Sequence, residues 1–227
     1  MSLKRQLLIV GNGDFAELWE YYVRNYFSQF NVAAFTVDAA YIQKPFLNGI
    51  PVVPFESLQK QYPPAEYEIL IAIGYKQMNI VRAKKVQECG AMGYNMPNFV
   101  HPSAYSDKDV VLGKANLILE RTVLAHGVKI GDGNILWNSV NLSHEAQIGD
   151  FNYLSPGTIL AGKANVGSYC FFGIGSSVRG NRMIKDYTLV GAEAYINEET
   201  ISYGVYVPAR TVVLPNKKAL ICLFKDR

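Results

Sequence analysis

A period of six constrains this chain more than any other feature. Every sixth residue from Leu112 through Ile118, Leu124, Ile130 and onward to Val190 and Ile196 is large and apolar, fifteen in succession. The residue two places earlier in each hexad is small or short, as at Thr122, Val128, Asn134, Val140, Ala146 and Cys170, with Arg182 the clear exception. If about half of all positions are apolar, such a run arises by chance on the order of once in tens of thousands of trials. Hexads of this kind build a solenoid whose triangular coil takes three hexads, each apolar residue pointing into a narrow prism. About five coils are expected from Leu112 to about Ile201. At ~4.8 Å per strand they stack to about 24 Å.

Ahead of the repeat the pattern changes. Residues 3 to about 100 alternate strand-like and helix-like segments, the signature of an α/β layer with a parallel sheet. Lys4 to Val10 reads as a buried strand ending in Gly11-Asn12-Gly13, and Phe15 to Phe27 as a helix. Val32 to Val37 is a second strand, closed by Asp38; Ile50 to Val53 is a third; Glu68 to Ile73 is a fourth, stopped by Gly74. Ile80 to Cys89 makes a further helix. The expected organisation is an α/β domain with a small parallel, Rossmann-like sheet over 1–100, followed by a parallel β-helix with a C-terminal tail over 101–227.

Composition narrows the partners. Lys and Arg number 22 against 19 acidic residues, a net charge of +3 without a basic run, so nucleic acid finds no electrostatic footprint. Cys89, Cys170 and Cys222 are odd in number and widely separated, which fits a reduced cytoplasm. No stretch approaches the roughly 18 apolar residues of a membrane span, and the apolar run Leu7 to Val10 is too short for a signal peptide.

The hexads resemble those of left-handed β-helix acyltransferases. More narrowly, the chain resembles the nucleotide-sugar N-acetyltransferases of bacillosamine-type and perosamine-type pathways and the related sialic-acid-pathway O-acetyltransferases. The motifs that carry the likeness are Ile9-Val-Gly-Asn-Gly13, Ile71-Ala-Ile-Gly74, Phe99-Val-His-Pro-Ser-Ala104, Asn141-Leu-Ser-His-Glu-Ala-Gln-Ile-Gly149, Leu154-Ser-Pro-Gly157, Leu160-Ala-Gly162 and Val207-Pro-Ala-Arg210. The resemblance implies acyl transfer from acetyl-CoA, or another acyl-CoA, to the amino group of a nucleotide-linked deoxyamino sugar, with no metal. It makes His144 the general base and gives Glu145 the role of raising its basicity. An amine attacking a thioester must lose a proton, and imidazole takes it near neutrality.

Coil spacing adds an argument from the residues themselves. His126, His144 and Gly162 follow one another at intervals of three hexads and so form a column on successive coils. Gly162 leaves room beside His144, and its N–H is a candidate for stabilising the oxyanion. His126 matches no catalytic position of the family and reads as a surface or structural histidine. For coenzyme A the family positions fall on Tyr153, Gly162, Ile174 and Ala192, with Arg210 for a phosphate. Two departures stand out: the family often carries His at Tyr153 and Gly at Tyr206.

The strand-to-helix turn Gly11-Asn-Gly13 resembles a dinucleotide fingerprint, but Ala16 replaces its third glycine. The sugar acyltransferases use the same loop for their nucleotide, so Gly13, Asp14, Phe15, Asp38 and Gly74 are assigned to the nucleotide sugar. A homotrimer is expected from the flat faces of a triangular prism and from the family's habit of placing its site between neighbours. Two other functions compete: O-acylation of a sugar, and a β-helix that serves only as a scaffold. A zinc relative would need three converging histidines, and His101 lies outside the repeat.

Overall fold

The computed structural model describes residues 4–209 and 211. The part ahead of Phe99 is a three-layer α/β unit. Strands β1 (Arg5–Val10), β2 (Phe30–Val37), β4 (Ile50–Pro54) and β5 (Tyr67–Ile71) pair in parallel, and β3 (Phe46–Leu47) adds an antiparallel edge through the Asn48-Gly49 hairpin. The order is β3-β4-β2-β1-β5. Helix α1 (Asp14–Tyr26) covers one side of the sheet, where Trp19, Tyr22 and Val23 pack on Leu7, Ile9 and Phe35. Helix α3 (Ile80–Ala91) covers the other, where Ala83, Val86 and Cys89 meet Leu8, Val10 and Ile71. The short helix α2 (Leu58–Gln61) and strand β3 lack a periodic signal in the sequence.

From Phe99 the chain winds into a left-handed parallel β-helix of two-residue strands. Its three faces hold seven, six and five described strands. Face one runs from Phe99–Val100 to Val205–Tyr206, face two from Tyr105–Ser106 to Tyr195–Ile196, and face three from Val111–Leu112 to Met183–Ile184. Each strand pairs with the one three hexads further along, as Asn141 with Ile159 and Ile148 with Val166. Leu124, Leu142, Leu154, Leu160, Phe172 and Ile184 point inward with no exposed surface. Burying each such side chain contributes roughly 1.5–3 kcal/mol. The helix starts two hexads before Leu112, because Val100 already packs on the core while Ser106 interrupts the apolar run. The period itself ends at Ile196 and Ile201 is 72% exposed, but the helix continues to Val205–Tyr206, where Tyr206 packs on the core. The final coil is shorter than three full hexads, Leu189 pairing with Val205.

The corners explain why these hexads need not be rich in glycine. From Ala115 to Glu193 every sixth residue has a positive φ, and most carry side chains, among them Arg121, Glu145, Lys163 and Tyr187. A left-handed residue costs roughly 1–2 kcal/mol. Ladders between coils offset it. The N–H of Asn134 donates to Asn116 Oδ1, that of Asn152 to Asn134 Oδ1, and that of Cys170 to Asn152 Oδ1, all at 2.8 Å and buried. Phe151, Tyr169, Tyr187 and Tyr203 stack at the corner between faces three and one, Tyr169 on Tyr187 at 4.9 Å and 4°.

The two parts share one packing interface. Phe99, Leu117, Ile135 and Tyr153 point outward from face one into the cluster built by α1, while Ala115 and Phe151 join the cluster under α3. Face one and, in the earlier coils, both its corners therefore meet the α/β unit, the corner toward face two through Leu119 and Trp137. The corner between faces two and three is the remaining one.

Candidate active site

That remaining corner carries Lys108, His126, His144, Gly162, Gly180 and Glu198 in one column, one residue from each successive coil. The His144 side chain is 61% exposed, and its Nδ1 stands 3.5 Å from Glu145 Oε1. Glu145 lies at a left-handed corner position and also faces Lys163 Nζ at 3.6 Å. The ring lies across Gly162: a Cβ there would run into His144 Nε2 and sit 2.5 Å from Cε1. Gly180 is equally bare, its would-be Cβ 2.8 Å from Gly162 O. Gly162 thus makes room for the ring and Gly180 leaves the next coil bare, so a strip stays clear along the axis beyond the imidazole. The N–H of Gly162 donates no hydrogen bond among the described residues. The exposed side chains of Lys163 and Arg179 flank the strip, cations that the period gives no reason to single out.

His126 has a tighter partner than His144, with Nδ1 2.7 Å from Asp109 Oδ2. The same carboxylate accepts the Gly127 N–H at 3.2 Å. What separates the two histidines is the next coil: His126 is followed by His144, which fills the space that Gly162 leaves open.

The nucleotide candidates gather at the carboxyl ends of the α/β strands. After β1 the chain passes through β2 to β4 on one side, and β5 then returns to the other side of β1, so the switch point of the sheet lies between β1 and β5. Crevices at such points take ligands. The loops Gly11 to Gly13 and Ala72 to Asn79 border it. Gly13 and Gly74 have open space where a Cβ would stand. The glycine with a structural duty is Gly11, at φ 131°, where a Cβ would lie 2.8 Å from Ala72 O and 3.2 Å from Ala16 Cβ. Ala16 therefore sits against Gly11 where the dinucleotide fingerprint has its last glycine.

Three other assignments acquire partners the sequence did not reveal. Asp14 and Glu17 both occupy the first turn of α1, so two carboxylates already complement the helix dipole there. Phe15 packs on Trp137 and Trp19, at ring separations of 5.8 and 6.3 Å, and serves the interface with the β-helix. Asp38 is held by Lys85 Nζ at 2.6 Å, and Lys85 also reaches Glu88 at 2.8 Å. Burial opposes the Lys85 charge, but its bonds to Asp38 and Glu88 outweigh that and raise its pKa above the ordinary lysine value. Asn12, whose amide donates to Tyr41 O at 2.8 Å, and the exposed rings of Tyr41 and Tyr75 complete the rim.

The coenzyme assignments do not converge within one chain. Gly162 lies beneath His144, whereas Ile174 and Ala192 sit at the corner between faces one and two, both exposed. Tyr153 points from face one toward the α/β unit, stacked on Phe171 at 5.3 Å, and burial pushes its phenol up to about 12. Arg210 lies outside the described residues. Among the described residues no group of three or more His, Cys, Asp or Glu is arranged to hold a metal. No helix there is long and apolar enough to cross a membrane. A cavity lined by Lys4, Arg24, Asn31 and Asn48 opens at the opposite, amino-terminal ends of the strands, remote from these loops.

The same fold, an α/β unit joined to a left-handed β-helix, occurs in solved hexapeptide-repeat sugar N-acetyltransferases. Among solved structures, perosamine N-acetyltransferase of Caulobacter crescentus in complex with CoA and GDP-perosamine matches with a TM-score of 0.78 at 26% identity, over 89% of this chain and 94% of that one. A variant of that enzyme with a histidine replaced by asparagine, bound to the same two ligands, matches at 0.80 and 25%. The acetyltransferase domain of PglB from Neisseria gonorrhoeae shares the fold at a TM-score of 0.81 and 21% identity, over 90% of this chain and 97% of that domain. No family model and no curated relative matches the sequence.

Proposed function

We propose that this protein transfers the acetyl group of acetyl-CoA to the amine of a nucleotide-linked deoxyamino sugar, with His144 as general base. The observation that carries the reading is the His144 column. Glu145 beside Nδ1 favours the tautomer that leaves the Nε2 lone pair free, and Nε2 faces the strip cleared by Gly162 and Gly180. A thioester lying along that strip meets the imidazole and the free Gly162 N–H together. The amine attacks the thioester carbonyl, forming the C–N bond while His144 takes its proton. The oxyanion is stabilised by the N–H. Collapse breaks the C–S bond, and the imidazolium returns its proton to the departing CoA thiolate. The likeness to the perosamine enzyme, whose structure holds CoA and GDP-perosamine, supports both substrates.

The nucleotide then belongs to the crevice bordered by Gly13, Asp14, Phe15, Asp38 and Gly74, and the coenzyme to Tyr153, Gly162, Ile174, Ala192 and Arg210. In this division 1–100 binds the sugar nucleotide and 101–227 holds the transferase site. The crevice stands over face one, and His144 marks the corner that the α/β unit does not cover. A sugar held by one chain is therefore acetylated by the histidine of a neighbouring copy, in a homotrimer whose seams bring the two together. Its substrates are cytoplasmic metabolites, and we place the protein there. Incubation with acetyl-CoA and a panel of nucleotide-linked amino sugars, read by free thiol and product mass, tests the reading. Absence of CoA release with every amine, or a monomer at micromolar concentration in light scattering, overturns it.

A further inference from the structure

Arg82 is 1% exposed and faces no carboxylate among the described residues. Its donors all go to backbone carbonyls. Nε donates to Gly133 O at 2.8 Å, Nη2 to Ala115 O at 2.7 Å, and Nη1 to Ile71 O. One turn earlier on the same helix, the N-cap residue Asn79 donates from Nδ2 to Phe151 O at 2.6 Å. Ala115, Gly133 and Phe151 occupy equivalent places one coil apart: they are the left-handed corner residues of three successive coils. Two side chains of α3 thus grip the β-helix by a carbonyl that recurs once per coil.

The same residues shape the loop beside the crevice. Ile71, held by Arg82, ends β5 just before Gly74. Asn79 closes a turn of three consecutive left-handed residues, Gln77, Met78 and Asn79, at φ 52°, 51° and 64°. Such a run costs roughly 1–2 kcal/mol per residue and persists only where its surroundings impose it. Between these anchors Tyr75 rests edge-on against Tyr153 at 5.0 Å and Phe171 at 5.2 Å.

We propose that Asn79 and Arg82 are positioning residues that lock the 74–79 loop at one height along the β-helix, and so place the bound sugar nucleotide level with the glycine-cleared strip. The inference rests on the function proposed above. Every coil offers the same corner carbonyl, so one such bond does not fix a height, whereas donors at fixed spacing do; a loop without them can shift along the corner, where one coil is about 4.8 Å. A buried cation without a carboxylate is a poor way to gain stability, since a well-packed apolar side chain in its place is often neutral or stabilising. Burial lowers the Arg82 pKa to about 9, so the guanidinium stays charged at neutral pH. Specific donors at fixed spacing are what the arginine supplies and an apolar residue does not.

The test uses Arg82→Met, Arg82→Lys and Asn79→Ala in the full chain, with steady-state kinetics in both substrates and hydrogen–deuterium exchange. The expected result is a kcat/KM for the nucleotide sugar reduced roughly 10- to 100-fold, as a misplacement of an ångström or more produces, with the acetyl-CoA KM within about twofold. Arg82→Lys restores part of the loss. Exchange rises across 72–80 and is unchanged in β1 and in the coils from Val123 to Val190. Folded Arg82→Met and Asn79→Ala variants with wild-type sugar kinetics and quiet loops overturn the proposal. So does exchange that rises equally in β1, which makes Arg82 an ordinary core residue. Should the wild type acetylate no nucleotide sugar, the functional reading fails, while the exchange pattern still decides whether the two residues lock the loop.

Discussion

In the α/β unit each core residue has neighbours of its own, whereas in the β-helix the same neighbour returns once per coil. Trp19 meets Phe15, Tyr22 and Phe99 in one arrangement used once. Leu142 meets Leu124 below and Leu160 above, and each of those meets its own copies. A repeating structure makes its exceptions conspicuous. His144, Gly162 and Gly180 stand out because the equivalent place, just before the left-handed residue, carries Lys114, Glu120, Asp132, Asn138, Asp150 or Asp186 at other corners. No such background exists in the α/β unit, where function has to be sought at strand ends.

The sharpest way to break this comparison is at its most conspicuous exception. His144→Ala is expected to lower kcat by roughly 10²- to 10⁴-fold with small effects on either KM, because general-base help is realised in the transition state. The same steady-state measurements on His126→Ala are expected to show most of the activity retained, despite its closer carboxylate. If the outcomes are exchanged, the active coil is one below.

The regularity of the core can be attacked next. Leu154→Ala, at a position with no exposed surface, is expected to destabilise by about 2–5 kcal/mol in denaturant unfolding. Because the neighbouring coils share the same prism, the loss should appear in exchange along Leu136 and Phe172 while α1 stays protected. Loss of protection in α1 to the same degree would mean that the two parts unfold as one.

A smaller effect is expected from the asparagine ladder. Asn134→Ala leaves the Asn152 N–H without its acceptor and should cost about 1–3 kcal/mol. Asn134→Asp, which keeps an acceptor, should recover part of it if the carboxylate is tolerated. Equal loss in both variants would show that the amide donor to Gly149 O matters more than the acceptor.

The smallest effect sharpens the α/β side. Asp38→Ala is expected to raise the KM for the sugar nucleotide several-fold, on the order of the 0.5–1.5 kcal/mol of one hydrogen bond, and to leave that of acetyl-CoA in place. Lys85 keeps Glu88 as a partner, so the fold should survive. A rise for acetyl-CoA alone would move the coenzyme to this end.

The sequence by itself determined the solenoid, its hexad register and the column that holds His144, because a repeat of three hexads per coil converts position in the chain directly into position in space. It also determined the order of most α/β elements and the glycine-rich ends of their strands. Tertiary structure decided what no period encodes. It gave Gly11 rather than Gly13 the steric duty at the first loop, since Ala72 and Ala16 close on it there at a positive φ. It paired Asp38 with Lys85 across 47 residues, and buried Arg82 against corners that lie 33 and 51 residues further along the chain. It set the α/β unit on face one, leaving His144 at the opposite corner. Long-range contacts of this kind depend on how two surfaces meet, and neither surface alone carries that information.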